Sequence, residues 1–335
     1  MRQCLEPRLV NDSFGDPALY VDFRDERRAL LFDLGDVSRL PPRKLLRLTD
    51  VFVTHAHIDH FIGFDHLLRV LLGRKDRLRL HGGPGFIAQV GHKLAAYAWN
   101  VVHRYEVPLT LEVIELAPQS CRRACFSSRT SFVREDEGTS GRADDSVHAE
   151  ESFRVRARFV DHEMPCLAYA LEEATHVSVW KSRLAEMGLT TGPWLKEAKR
   201  AVAQGAAPET AIDVAWHDRG GAHAATRTLR ELLPALQSVP GKRIGYATDF
   251  LYTEANLAAL EQLLHGVDLL FIESAFLDAE ADHAARKNHL TAKQAGTIAR
   301  RVGAKAVVPF HFSPRYEERA AELMAEVQAA WAGTA

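Results

Sequence analysis

Within the 335-residue chain, Thr54-His55-Ala56-His57-Ile58-Asp59-His60 places four potential metal-binding groups within six residues. Imidazole nitrogen and carboxylate oxygen suit zinc and neighbouring divalent ions. The apolar run Val51-Phe52-Val53 before the motif reads as a strand, and Phe61-Ile62-Gly63-Phe64-Asp65-His66-Leu67-Leu68 after it reads as a helix. In the extended part His55 and His57 fall on one side, because side chains alternate with period two. Where the chain turns into the helix, Asp59 and His60 can face a second ion. The alternative is a polar loop bonded only to itself, and the H-x-H-x-D-H spacing behind a strand makes that the weaker reading.

The remaining candidates stand where strands are expected to end. Residues 18–23 and 28–35 read as two strands, the second closing on Asp33, which is either a support for the histidines or a turn former ahead of Gly35. The alternating segment 152–160 leads to His162. The strand 243–249 finishes on Asp249, which could equally cap a following helix. His289 opens a helix, and the apolar run 304–310 leads to His311 and Arg315. Residues 78–81 read as a strand and 85–99 as a helix, with His81 and His92 as structural or surface histidines. Between Cys121 and Arg134, arginines alternate with Phe126 and Phe132, a pattern that could meet a phosphate backbone but more often marks a solvated strand. Residues 135–152 read as a mobile surface loop and 180–240 as helical.

Lys plus Arg number 42 against 44 Asp plus Glu, a formal charge of -2, so overall charge offers no general attraction to nucleic acid. Cys4, Cys121, Cys125 and Cys166 are too few and too scattered for a disulfide framework and read as reduced structural thiols. No apolar signal segment or bilayer-length run is present in the sequence, and a cytoplasmic enzyme is expected.

The H-x-H-x-D-H segment resembles the signature of the metallo-β-lactamase superfamily, which implies a four-layer αββα sandwich. Asp161-His162-x-x-Pro165, Asn288-His289-Leu290-Thr291 and His311-Phe312-Ser313-Pro314-Arg315-Tyr316 are similar to motifs of its ribonuclease Z branch. The resemblance runs from about 29 to 316. It departs at Thr248-Asp249-Phe250 and Glu273-Ser274-Ala275-Phe276, and at 201–211, where a neutral Ala-rich stretch stands in place of a basic arm. The implied architecture is one domain over 1–335 carrying a helical insertion at 180–240.

The resemblance also implies a site. His55, His57 and His162 would hold one divalent ion, Asp59, His60 and His311 another, and Asp249 would bridge them, with Asp33 behind. Zinc is the expected metal, manganese or iron the alternatives. Two such charges bring a bridging water's pKa toward ~7, so that hydroxide can attack. Asp59 and His289 are then the catalytic candidates, His289 as general acid, and Arg315 a clamp for substrate phosphate. The expected function is phosphodiester hydrolysis, on precursor tRNA or a smaller diester, by a homodimer without membrane association. The alternatives are a hydrolase of a lactone, thioester or sulfate ester, and a non-catalytic metal-binding protein.

Overall fold

A computed structural model describes residues 5–24, 26–218 and 220–334, so Cys4 lies outside the described residues. The chain divides into two units, one comprising Met1–Glu150, Arg154–Glu172 and Arg243–Ala335, the other Glu151–Phe153 and Glu173–Lys242.

The first unit begins with β1 (Leu5–Leu9), β2 (Leu19–Phe23), β3 (Ala29–Phe32), α1 (Pro42–Leu45) and β4 (Leu48–Phe52). The metal motif follows, then α2 (Ile58–Phe61), α3 (Phe64–Leu71), β5 (Arg77–Gly82), α4 (Phe86–Ala95), β6 (Thr110–Leu116), β7 (Ser120–Ser127) and β8 (Arg134–Gly141). These eight strands form one sheet in sequence order, with β3 to β6 parallel. Val51 and Val53 turn one way, into a core with Phe64, Leu67 and Leu71 of α3 and Ile87 and Val90 of α4.

The second sheet starts with β9 (Ser146–Ala149), β10 (Phe153–Asp161) and β11 (Pro165–Glu173). Between β11 and the return to this sheet lie β12 (His176–Val179), α5 (Lys181–Glu186), α6 (Trp194–Ala203), β13 (Ala211–Asp218), β14 (Gly221–Thr228), α7 (Leu229–Leu232) and β15 (Leu236–Val239). The chain then adds β16 (Arg243–Ala247), α8 (Glu254–Leu264), β17 (Leu269–Glu273), α9 (Ala281–Arg286), α10 (Ala292–Arg301), β18 (Val307–Phe310) and α11 (Ala320–Ala332). The sheet order is β18-β17-β16-β11-β10-β9, with β16, β17 and β18 parallel. Its outer face packs Leu260, Leu264, Ile298 and Leu323 of the helices.

The inner faces of the two sheets meet through aromatic rings. Phe32 lies 5.7 Å from Tyr169 and 5.9 Å from Tyr246, and Phe52 lies 5.6 Å from Tyr169, centroid to centroid. The Tyr169 hydroxyl, buried between the sheets, donates to the Val53 carbonyl at 2.7 Å. Helix, sheet, sheet and helix therefore stack as the expected αββα sandwich.

Two expectations are corrected. Residues 135–152 are not a loop: β8 pairs with β7 and β9 with β10. Every residue of β8 is exposed, so it is held by its backbone ladder and a Cys125–Glu137 side-chain contact, and no buried face marks the sequence. Its charges suit an edge strand. The 180–240 insertion is not wholly helical, since β13 and β14 form an eight-residue-per-strand hairpin. Ile212 and Val214 alternate into the insertion's own core, with Trp194, Leu229 and Leu232. The alanines of β14 bury little apolar surface, which hid the strand period.

Candidate metal centre and active site

Every histidine nominated as a metal ligand, and the bridging acid, follows the end of a strand of the first unit, whereas His289 lies between α9 and α10. The turn after β4 carries His55 and His57 and enters α2 at Ile58, so that Asp59 and His60 sit in the first turn of the helix. The turn docks closely on the end of β3, where Leu34 N–H donates to His60 O and Gly63 N–H to Leu34 O, both at 2.9 Å. A Cβ on Gly63 would come within 2.0 Å of the Gly35 carbonyl, so this approach requires glycine. From the other sheet, Asp249 follows β16, Glu273 ends β17 and His311 follows β18, on adjacent parallel strands. His162 follows β10. This collection at carboxyl ends is the usual position of sites in α/β folds.

Asp33, Asp249 and His311 have φ of 58°, 56° and 59°. Left-handed backbone costs a residue with a Cβ about 1–2 kcal/mol, and its recurrence at three site positions marks a constrained constellation. Asp249 does not cap α8, because Thr253 does so by accepting from the Asn256 N–H.

Ligand atoms of His55, His57 and His162 lie within 4.8 Å of one another, as do those of Asp59, His60 and His311, and those of His55, His60 and Asp249. The His55 ring centroid is 4.3 Å from those of His57 and His60, and the His60 ring is 5.5 Å from His311. Burial, reinforced by the neighbouring imidazoles, pushes His55 down to about 2, and burial likewise lowers His57. Both therefore keep the lone pairs a metal needs.

The partners behind these rings aim them inward. Asp33, fully buried, accepts from His60 Nδ1 at 2.9 Å, from Thr54 N–H at 2.7 Å, from the Thr54 hydroxyl at 3.1 Å and from the Tyr246 hydroxyl at 2.9 Å. His162 Nδ1 donates to the Asn288 carbonyl at 3.0 Å, which leaves its Nε2 as the lone-pair nitrogen. His55 Nε2, His60 Nε2 and His311 Nδ1 are buried and make no well-aligned hydrogen bond, although Asp249 Oδ2 lies 2.8 Å from His60 Nε2 and Asp249 Oδ1 3.5 Å from His311 Nδ1. Unsatisfied nitrogens in a buried cluster are costly, and divalent ions satisfy them, so the residues present fit a metal pair.

Around the second group the acids reverse the trend. Burial opposes charging His311, but Asp249 and Asp59 outweigh it and carry the ring up to about 9. Asp59 Oδ2 is 3.3 Å from His311 Nε2 and 3.4 Å from His60 Nε2. Burial would raise Asp59, yet those histidines hold it well below the usual carboxylate range.

Glu273, to which the sequence motifs assign no role, belongs to the site. Fully buried, it accepts from His289 Nδ1 at 2.8 Å, with Asp249 Oδ1 3.1 Å from the same nitrogen. Against the effect of burial, Glu273 and Asp249 raise His289 to about 10. The available signal was positional: Glu273 ends the strand beside the one that leads to Asp249.

Arg315 lines the same cleft of about 380 Å³, together with Asp59, His289 and His311. Its Nη1 donates to Glu280 at 2.5 Å, and its guanidinium lies 5.4 Å from the Phe276 ring centre. Phe126 and Phe132, by contrast, are buried in the core and are not available to stack on bases. His81 is also structural. It belongs to a separate group with Asp50 and His148, in which Arg79 already donates to both Asp50 oxygens, at 2.7 and 3.0 Å.

A family model described as a beta-lactamase superfamily domain matches residues 235–312. The chain is 33% identical over 320 residues to the ribonuclease Z of Deinococcus radiodurans, covering 94% of this chain and 92% of that one. It is 29% identical to the ribonuclease Z of Thermobifida fusca, covering 92% and 83%. Among solved structures, the short form of human tRNase Z superposes with a TM-score of 0.55 at 18% identity, covering 93% of each chain. A metallo-beta-lactamase fold protein of Bacillus subtilis superposes at 0.56 and 14% identity, covering 98% and 93%. Those two likenesses bear on the fold.

Proposed function

Because the chain belongs to the ribonuclease Z family of the β-lactamase superfamily, and is thus a metal-dependent hydrolase acting on phosphodiesters, we propose that it is an endoribonuclease cleaving precursor tRNA or a similar RNA. The observation that carries the reading is the convergence of His55, His57, Asp59, His60, His162, Asp249 and His311 from both sheets, with His289 beside them. His55, His57 and His162 would hold one divalent ion and Asp59, His60 and His311 the other, with Asp249 facing both groups. Zinc suits this nitrogen and oxygen set. Bound there, divalent ions supply an attacking water deprotonated near neutral pH and offset charge building on the phosphoryl oxygens.

The protein's own groups complete the chemistry. His289, held through Nδ1 by Glu273, carries a proton on Nε2 for the departing alkoxide. Glu273 and Asp249 keep that ring protonated and oriented between turnovers. Arg315, stacked on Phe276, has donors beyond those used by Glu280 and can take a phosphate oxygen. That the ribonucleases Z aligned above share this length of chain supports an RNA substrate, and among the described residues no helix is long and apolar enough to cross a membrane.

The test is cleavage of a precursor-tRNA transcript, with bis(p-nitrophenyl) phosphate, a lactone and a sulfate ester in parallel. We expect both diesters to be hydrolysed, with transcript cleavage falling as salt rises, because phosphate contacts release counterions. Hydrolysis of the lactone or sulfate ester alone overturns the proposal.

A further inference from the structure

The cleft that holds His289 and His311 extends past them to His283 and Lys287, on α9 and just after it, and to Arg315. That side is organised. His283 packs edge-on against buried Phe276, 5.1 Å between ring centres, and its Nε2 faces Arg315 Nη2 at 3.3 Å. Glu280 takes the other guanidinium nitrogen, so the guanidinium is fixed in place but already balanced by a carboxylate. Lys287 differs. Exposed on the cleft and two residues from His289, its ammonium meets no carboxylate among the described residues. The metal end of the cleft is lined instead by Asp16 and Asp59. An uncompensated cation lining the same cleft as a fixed guanidinium calls for an anion. The scissile phosphate cannot fill that role, because it must sit at the metal donors.

Resting on the diesterase reading above, we propose that Lys287, with Arg315 held by His283 and Glu280, forms a subsite for a second phosphate adjoining the scissile one, so that the site selects polynucleotides over isolated diesters. Lys287 supplies the net charge and Arg315 the directional donors. The substrate spans both ends of the cleft, with its reacting phosphate over His289 and its neighbour over α9.

Three RNA dinucleotides test this: UpU, pUpU and UpUp, which differ only in an added terminal phosphate. We expect one phosphorylated form to exceed UpU in kcat/KM by about tenfold, the size of one hydrogen bond to a charged group. Lys287→Ala should bring that ratio to within twofold of one, and Lys287→Arg should retain it. The dependence of log kcat/KM on log salt for the favoured dinucleotide should flatten by about 0.7 in Lys287→Ala, the slope of one single-strand phosphate contact. A ratio near one in the parent enzyme, or a ratio unchanged in Lys287→Ala, overturns the subsite while leaving the diesterase reading intact. Failure to hydrolyse the dinucleotides and bis(p-nitrophenyl) phosphate alike sinks the diesterase reading, and the subsite with it.

Discussion

Asp33 reaches the centre through His60 and, by way of the Thr54 hydroxyl, through His55, and it takes four hydrogen bonds in a fully buried position. Removing such a support typically costs about 10–100-fold in metal affinity. Chelator competition on Asp33→Ala should show a loss of that size with the helical circular-dichroism signal retained, and unaltered affinity would make Asp33 merely structural. His289 answers a different experiment. His289→Ala should lower kcat by roughly 10²–10⁴ while metal content by elemental analysis stays at the parent level. Loss of metal would recast His289 as a ligand. Glu273→Gln should lower kcat in the same direction, because a neutral amide cannot hold the charged ring. Asp33 could be nominated in the sequence as a strand-end acid, beside the reading of a turn former, and His289 through the resemblance of Asn288-His289-Leu290-Thr291 to a family motif. Glu273 could not be, since its role depends on which strand lies beside which, and the parallel β16–β17 pairing is a long-range fact.

At the level of elements, β4 and β5 carry an ionic cluster away from the metal donors. Asp50 on β4 accepts from Arg79 on β5, and Glu150 joins Arg79 at 3.1 Å and His148 at 3.0 Å. Asp50 is wholly buried and Arg79 is largely so. Asp50→Ala leaves that guanidinium with Glu150 as its remaining carboxylate and should cost about 3 kcal/mol, the lower end for breaking a buried pair because Glu150 and some solvent still reach Arg79, read as a shifted urea midpoint. The cluster also has a pH signature. Burial raises the Asp50 carboxyl, but His81 and Arg79 outweigh this and hold it well below normal, while burial keeps His81 below its ordinary value despite Asp50. Below ~6.5 the unfolded chain protonates His81 before the folded one does, and below ~3.9 the same holds for Asp50. Both contributions are therefore present at pH 7 and are lost on acidification. His81→Phe should lose less stability than the parent between pH 7 and pH 5, and identical losses contradict this account. Strands with a buried face, such as β4, β10 and β16, were readable from apolar runs or alternation. The solvent-facing β8 and the alanine-built β14 gave no such signal, because backbone pairing alone leaves no trace in side-chain pattern.

Across the whole molecule, the αββα sandwich brings five strand ends, drawn from both sheets, to one edge. One is that of β4 in the first sheet, and the others are those of β10, β16, β17 and β18 in the second. Tyr169 and Tyr246 link the sheets immediately beneath, through Val53 and Asp33. The architecture was legible, and the candidate ligands could be nominated, because the motifs are dense in residues with few structural substitutes. The insertion was misread because its hairpin is built from small and neutral residues. All of the functional reasoning rests on two metal ions lying between the sheets. Anomalous diffraction from zinc-loaded crystals tests this most directly. The account predicts two peaks per chain, one about 2.0–2.2 Å from nitrogens of His55, His57 and His162, the other at similar distances from Asp59, His60 and His311, with an Asp249 oxygen within reach of both. A fully loaded crystal with a single peak at Asp50, His81 and His148, or with no peak touching His162 or His311, would contradict it.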